Sequence, residues 1–208
     1  CQNERGNHEQ NREHRGGLAE KTHRSPAAEG SREGSASAEG AGKTVTAINL
    51  AMSLAREVNQ TVLLVDLDLR QPKIRDYLTD EPMKGIGDYL MDDVPLPELL
   101  FNPKGIERLV ILPGSISFRH SSEMLSSPKV VALAEELKTR YPSRLVLFDM
   151  PPMLACDDVL AFSPHFDAAL LVIEENVTSK QDITRSMDLL EQTNLLGTVL
   201  NKAEPKKS

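Results

Sequence analysis

Five short, nearly continuous apolar runs, at residues 61–65, 109–112, 145–148, 168–173 and 197–200, constrain this chain more than any other feature. A run that is apolar at every position suits a strand buried on both faces. Between the runs lie segments with apolar residues at helical spacing. In 44–58 these are Val45, Ile48, Met52 and Ala55, flanked by Ala51 and Val58. The segment 129–140 carries Val130, Leu133, Ala134 and Leu137, and 180–192 carries Ile183, Met187 and Leu190, with a shorter helix expected at 97–101. Strands alternating with helices predict an α/β domain, its mostly parallel sheet covered by helices on both faces.

The first forty residues do not fit that pattern. They contain one large aliphatic residue, Leu18, and no Val, Ile, Met, Phe, Tyr or Trp. Such a stretch cannot bury enough apolar surface to offset its ordering entropy. We therefore expect residues 1–34 to be a disordered or aberrant tract, 35–203 the folded domain and 204–208 a tail. The abrupt change of composition further suggests a frameshifted or foreign reading of the N-terminus, and the chain begins at Cys1 rather than Met.

A net charge of -7 and a pI near 5.3 offer no broad cationic surface, which argues against nucleic acid as a partner. Cys1 and Cys156 form neither a disulfide framework nor a zinc spacing, which fits a reducing cytoplasm. The longest wholly apolar run, 168–173, is far short of the roughly 20 residues that cross a bilayer. Membrane association would therefore come through a partner. The five histidines show no metal-ligand spacing.

Glu39-Gly40-Ala41-Gly42-Lys43-Thr44 opens the first helical segment. Gly40 and Gly42 let backbone amides approach phosphate oxygens, and the helix N-terminus adds partial positive charge. Lys43 would then reach the β- and γ-phosphates and the Thr44 hydroxyl would ligate magnesium. Read alone, the segment fits a glycine-rich linker as well, because Ser37 stands where the usual pattern has its first glycine. Two acidic segments strengthen the phosphate reading: Asp66-Leu67-Asp68-Leu69-Arg70-Gln71-Pro72 and Asp149-Met150-Pro151-Pro152 each follow an apolar run. Carboxylates at the C-terminal ends of parallel strands share an edge with the phosphate loop, which is what a magnesium phosphate needs. Arg70 is left with two readings, pairing with a neighbouring acid or with a subunit across an interface.

Together these residues resemble the bacterial tyrosine kinases of capsule and exopolysaccharide loci, relatives of the Min-type and Par-type ATPases. Further marks are Asn49-Leu50-Ala51, Leu112-Pro113-Gly114, Ser122-Glu123-Met124-Leu125-Ser126-Ser127-Pro128 and Asn201. Ala38, where partition ATPases carry an extra lysine, favours the kinase branch. The resemblance implies a P-loop NTPase fold with ATP and Mg2+ as cofactors. It implies Lys43, Asp66 and Asp68 as catalytic residues, with Asp66 the base for the tyrosine proton. Gly40, Ala41, Gly42, Lys43, Thr44, Val45 and Asn201 would bind the nucleotide, Asn201 at the adenine, and Thr44, Asp66 and Asp149 would serve the metal. It also implies a transmembrane polysaccharide chain-length determinant as partner, homo-oligomerisation, and a cytoplasmic location at the inner face of the membrane.

Besides Ser37, the chain departs from the family in three places. Residues 30–39 offer no apolar run, so the first strand is expected to be missing or corrupted, beside the strand ending at Asp149. Glu9, Arg12 and Arg15 have the spacing of the family's oligomerisation motif in a tract that cannot form an amphipathic helix. The tyrosines are Tyr77, Tyr89 and Tyr141, and the last residues contain none. That leaves an alternative function, a P-loop ATP-binding switch without tyrosine transfer.

Overall fold

The computed structural model describes residues 40–57, 61–139 and 143–204. The expectations for the 1–34 tract, the Glu9, Arg12 and Arg15 spacing, Ser37, Ala38, Tyr141 and the tail beyond Glu204 lie outside these residues. Helix α1 (Lys43–Arg56) leads into strand β1 (Thr61–Asp66). Helix α2 (Ile86–Asp92), β2 (Leu109–Leu112), α3 (Ser121–Leu125) and α4 (Pro128–Thr139) follow. The chain continues through β3 (Arg144–Asp149), α5 (Asp158–Phe162), β4 (Ala169–Glu174), α6 (Lys180–Leu189) and β5 (Leu195–Asn201).

Strand β1 pairs in parallel with β2 on one edge and with β3 on the other. Val62, Leu63, Leu64 and Val65 are all 0% exposed, as a run apolar at every position requires. Alternate residues serve opposite faces: Val62 and Leu64 pack with Ile48, Ala51 and Ala55 of α1. Leu63 and Val65 pack with Leu90 of α2, with Val130, Leu133 and Leu137 of α4, and with Phe162 of α5. Helices thus cover both faces, and each buried Val or Leu side chain contributes about 1.5–3 kcal/mol relative to exposure.

The remaining strands, β4 and β5, form a separate parallel pair, so the described strands make two sheets, β2-β1-β3 and β4-β5. In the second sheet Ala169 pairs with Leu195 but Leu170 pairs with Gly197, leaving Leu196 as the extra residue of a bulge. Gly197 takes φ +152 there, a conformation that side-chain-bearing residues rarely adopt.

One expected helix does not form. Residues 97–101 contribute only to a 3-10 turn, Leu96–Glu98, because Phe101 is drawn into an antiparallel bridge with Ile111 through two 2.8 Å hydrogen bonds. Conversely, the short helices α2, α3 and α5 carry no periodic signal of their own. Helix α2 is fixed by context: Asp88 accepts the Gly85 N–H at 2.8 Å, and a Cβ on Gly85 would stand 2.1 Å from the Pro113 carbonyl oxygen.

Candidate functional site

Parallel pairing of β1 with β3 sets Asp66 directly opposite Asp149, so the two acidic strand ends meet at one edge. Both are nearly sealed from solvent, at 0% and 3% exposure. The Leu67 N–H donates to the Asp149 carbonyl at 2.9 Å and continues the ladder one step past the strands. At the same edge the chain reverses into α1 through Gly40 at φ +97 and Gly42 at φ +85. Left-handed backbone at both glycines turns the loop tightly enough for the Lys43 N-terminus to face the carboxylates.

The carboxylates have distinct surroundings. Asp66 Oδ2 accepts the Lys73 and Ile74 N–H groups at 3.0 Å each, and its Oδ1 accepts the Asp68 N–H at 3.3 Å. It thereby organises the loop that follows β1. Burial pushes its carboxyl up to about 7; the Ile74 N–H opposes this, and Asp149 and Asp68 add to it by repulsion. Asp149 accepts a hydrogen bond from the Thr44 hydroxyl and feels the positive charge of Lys43, but burial and then Asp68 push it up to about 6. Asp68 is also raised, chiefly by burial, with the Gln71 N–H and Lys43 pulling the other way and Asp158 adding repulsion. Lys43, Thr44, Asp66, Asp68 and Asp149 are thus linked in one electrostatic group.

This donor set fits magnesium. Asp149 Oδ2 is buried and accepts no hydrogen bond, and the three carboxylates repel one another in a site that a cation would relieve. Hydroxyl and carboxylate oxygens on a partial protein shell are what Mg2+ takes when phosphates and waters complete its octahedron. Among the described residues no group of three or more His, Cys, Asp or Glu is placed to hold a metal ion by itself, so phosphate and water oxygens would have to supply the rest of the shell.

On the other side of the loop, Asn201 at the end of β5 donates from Nδ2 to the Ala41 carbonyl at 2.8 Å. A Cβ on Gly42 would stand 2.1 Å from that same Nδ2, so the second glycine is needed for close approach as well as for its dihedral angles. The amide expected at the adenine thus also clasps the phosphate loop. Next to it, Lys202 pairs with Glu174 at 2.9 Å. Val45, in the first turn of α1, is 39% exposed.

Sequence reasoning missed Asp158 and gave Gly114 no role at the site. A Cβ on Gly114 would lie 2.1 Å from Pro72 Cβ and 3.2 Å from Asp66 Oδ2, so this glycine lets the post-β2 turn pack against the Asp66 loop. Its only sequence signal is its place in Leu112-Pro113-Gly114. Asp158 is 0% exposed and follows Cys156-Asp157 without any pattern that marks it. A cavity of about 560 Å³ lined by Met91, Ile116, Phe118 and Met124 shares no residue with the phosphate site.

Residues 36–202 match the family model described as an AAA domain. The chain is 31% identical over 166 residues to the tyrosine-protein kinase YwqD of Bacillus subtilis, covering 78% of this chain and 68% of that protein. It is also 31% identical over 174 residues to the succinoglycan biosynthesis transport protein ExoP of Rhizobium meliloti, but spans only 21% of that longer protein. The solved kinase domain of VpsO superposes with a TM-score of 0.72 at 30% identity, covering 81% of this chain and 82% of that one.

Proposed function

Because the chain belongs to the AAA-domain family of P-loop proteins, in the branch of the bacterial tyrosine-protein kinases, we propose that it is an ATP-dependent protein-tyrosine kinase of exopolysaccharide synthesis and export. The observation that carries this reading is the meeting of Asp66 and Asp149 at adjacent strand ends, with the Thr44 hydroxyl and the Lys43 charge on Asp149.

Residue by residue, Lys43 and the amides of Gly40, Ala41, Gly42, Thr44 and Val45 bind the phosphates of ATP. The Thr44 hydroxyl and the Asp149 and Asp66 carboxylates are the groups that hold Mg2+, which when bound neutralises charge on the phosphate oxygens. Lys43 stabilises the charge that develops on the transferring phosphoryl group. Asp66 accepts the tyrosine proton. Asp68, close enough to feel Lys43, keeps that lysine aligned. The Asn201 amide closes the adenine side.

The partner in this reading is a transmembrane polysaccharide chain-length protein, with the kinase on the cytoplasmic face of the membrane and assembled as a homo-oligomer. ExoP, a transport protein about five times longer than the matched segment, supports it. None of the helices among the described residues is long and apolar enough to cross a membrane. Residues 35–203 act as the nucleotide-binding unit.

The test is incubation with labelled ATP and magnesium, with and without the partner's cytoplasmic segment. Label on tyrosine that disappears in Lys43→Ala supports the reading. Tight ATP binding with no label under either condition would leave a nucleotide switch in its place.

A further inference from the structure

Arg70 lies two residues beyond Asp68 and is held from two sides. Its Nε donates to Ser121 Oγ at 3.0 Å and stands 3.8 Å from Asp158 Oδ2. Ser122, next to Ser121 on α3, donates to Asp158 Oδ1 at 2.5 Å. Asp158 is wholly buried and its Oδ2 accepts no hydrogen bond, so the Arg70 guanidinium is the charge that balances it. A buried carboxylate strongly favours whichever arginine rotamer brings a cation to it. The arginine is thereby fixed at its inner edge, while 45% of its side chain stays at the surface.

The location of this arrangement gives it a use. Lys43 and Asp158 both act electrostatically on Asp68, so the Arg70–Asp158 pair and the phosphate-loop lysine share that carboxylate as a neighbour. Arg70 comes from the loop after β1, and Asp158 from the segment after β3. These are the two segments that carry the acidic strand ends. A guanidinium anchored through Nε leaves its outer Nη edge to meet the oxygens of a phosphoryl group, a planar geometry that lysine cannot reproduce.

We propose that Asp158 is a positioning residue that, with Ser121 and Ser122, presents Arg70 as a second phosphoryl-binding cation beside the Lys43 site. The proposal rests on the nucleotide-site reading above and deepens it. The phosphoryl group has two sources, the terminal phosphate of ATP and the phosphate on a tyrosine product.

Calorimetry on the full chain with magnesium separates them without needing transfer. One arm compares a non-hydrolysable ATP analogue with ADP; the other titrates phenyl phosphate into the ADP-loaded chain. Arg70→Ala is expected to weaken binding about tenfold in one arm, the size of one lost charge-assisted hydrogen bond, and to leave ADP within about twofold. Asp158→Asn, which retains an oxygen for the Ser122 hydroxyl, is expected to reproduce that loss, and the double variant to add nothing further. If Asp158→Asn does not fold, Ser121→Ala must show the same selective loss, since it removes the Nε acceptor and spares the carboxylate.

Unchanged binding in both arms for Arg70→Ala overturns the proposal. So does an additive double variant, or an Asp158→Asn effect that falls equally on ADP and the analogue, as a merely structural residue would give. Failure of the wild-type chain to bind any magnesium nucleotide refutes the site reading itself and this proposal with it.

Discussion

In the β2-β1-β3 sheet, Leu63, Leu64 and Val65 of the central strand are wholly buried, whereas in the β4-β5 sheet Leu170, Leu196 and Leu200 are 40%, 70% and 53% exposed. Asp66 ends the dry central strand, Asp149 ends the half-buried β3 beside it, where Leu145 is 37% exposed, and Asn201 stands on the wetter sheet. Carboxylates that must keep their spacing to within a fraction of an ångström stand on or beside the strand least able to deform. The clasp on the phosphate loop comes from an element with less packing to hold it. Such regions open locally at lower free energy than a core strand does.

The largest test of this contrast is Leu64→Ala. Truncating this buried side chain is expected to cost about 2–5 kcal/mol in urea unfolding, and a loss below about 1 kcal/mol would erase the distinction between the sheets. Next is Gly42→Ala, which puts a side chain on backbone at φ +85 and a Cβ 2.1 Å from Asn201 Nδ2. A strain on the order of 1–3 kcal/mol should separate the loop from β5 and weaken ATP binding by calorimetry, while the melt of the first sheet is preserved.

The third prediction concerns pH. In the metal-free protein Asp66 and Asp149 are raised from 3.8 to about 7 and about 6. The folded state therefore keeps protons that the unfolded state releases. The resulting stability is full below about pH 4, falls between about pH 4 and 7 and levels off above, by several kcal/mol, roughly 7 at most at about 1.4 kcal/mol for each pH unit by which a carboxyl is raised. Urea midpoints measured between about pH 5 and 8 should decline with pH in the wild type and decline less in Asp149→Asn. A rising midpoint in the wild type, once other groups are matched by that variant, would contradict the buried-carboxylate site.

Smaller effects belong to the second sheet. Asn201→Ala removes one side-chain hydrogen bond to Ala41 and is expected to weaken nucleotide binding by about 1 kcal/mol, roughly fivefold. Leu196→Ala, on the exposed bulge, should change stability by less than about 0.5 kcal/mol. A larger loss there would mean that the bulge is covered in solution.

What could be read from the sequence follows the same division. Strand β1 was legible because each of its inner positions is buried, and α4 because Val130, Leu133, Ala134 and Leu137 recur on its packed face. The phosphate loop and both acidic strand ends were legible because their chemistry lies in consecutive residues. Helices α2, α3 and α5 were not, because five to seven residues cannot show a period, and contacts such as Gly85 against Pro113 decide them. The Arg70 pairing was equally hidden: Ser121 lies 51 residues away in sequence, and nothing near Arg70 names Asp158 as its counter-charge. The 97–101 segment misled because its helical spacing competes with a bridge to Ile111 that only the folded sheet supplies.

The Asn201 clasp joins residues 160 positions apart. A ribosome releases residue 41 long before residue 201, so the loop emerges without the amide that later fastens it. Competence to hold a nucleotide firmly is thus acquired only once β5 has emerged, and chains truncated ahead of that asparagine would lack the fastening.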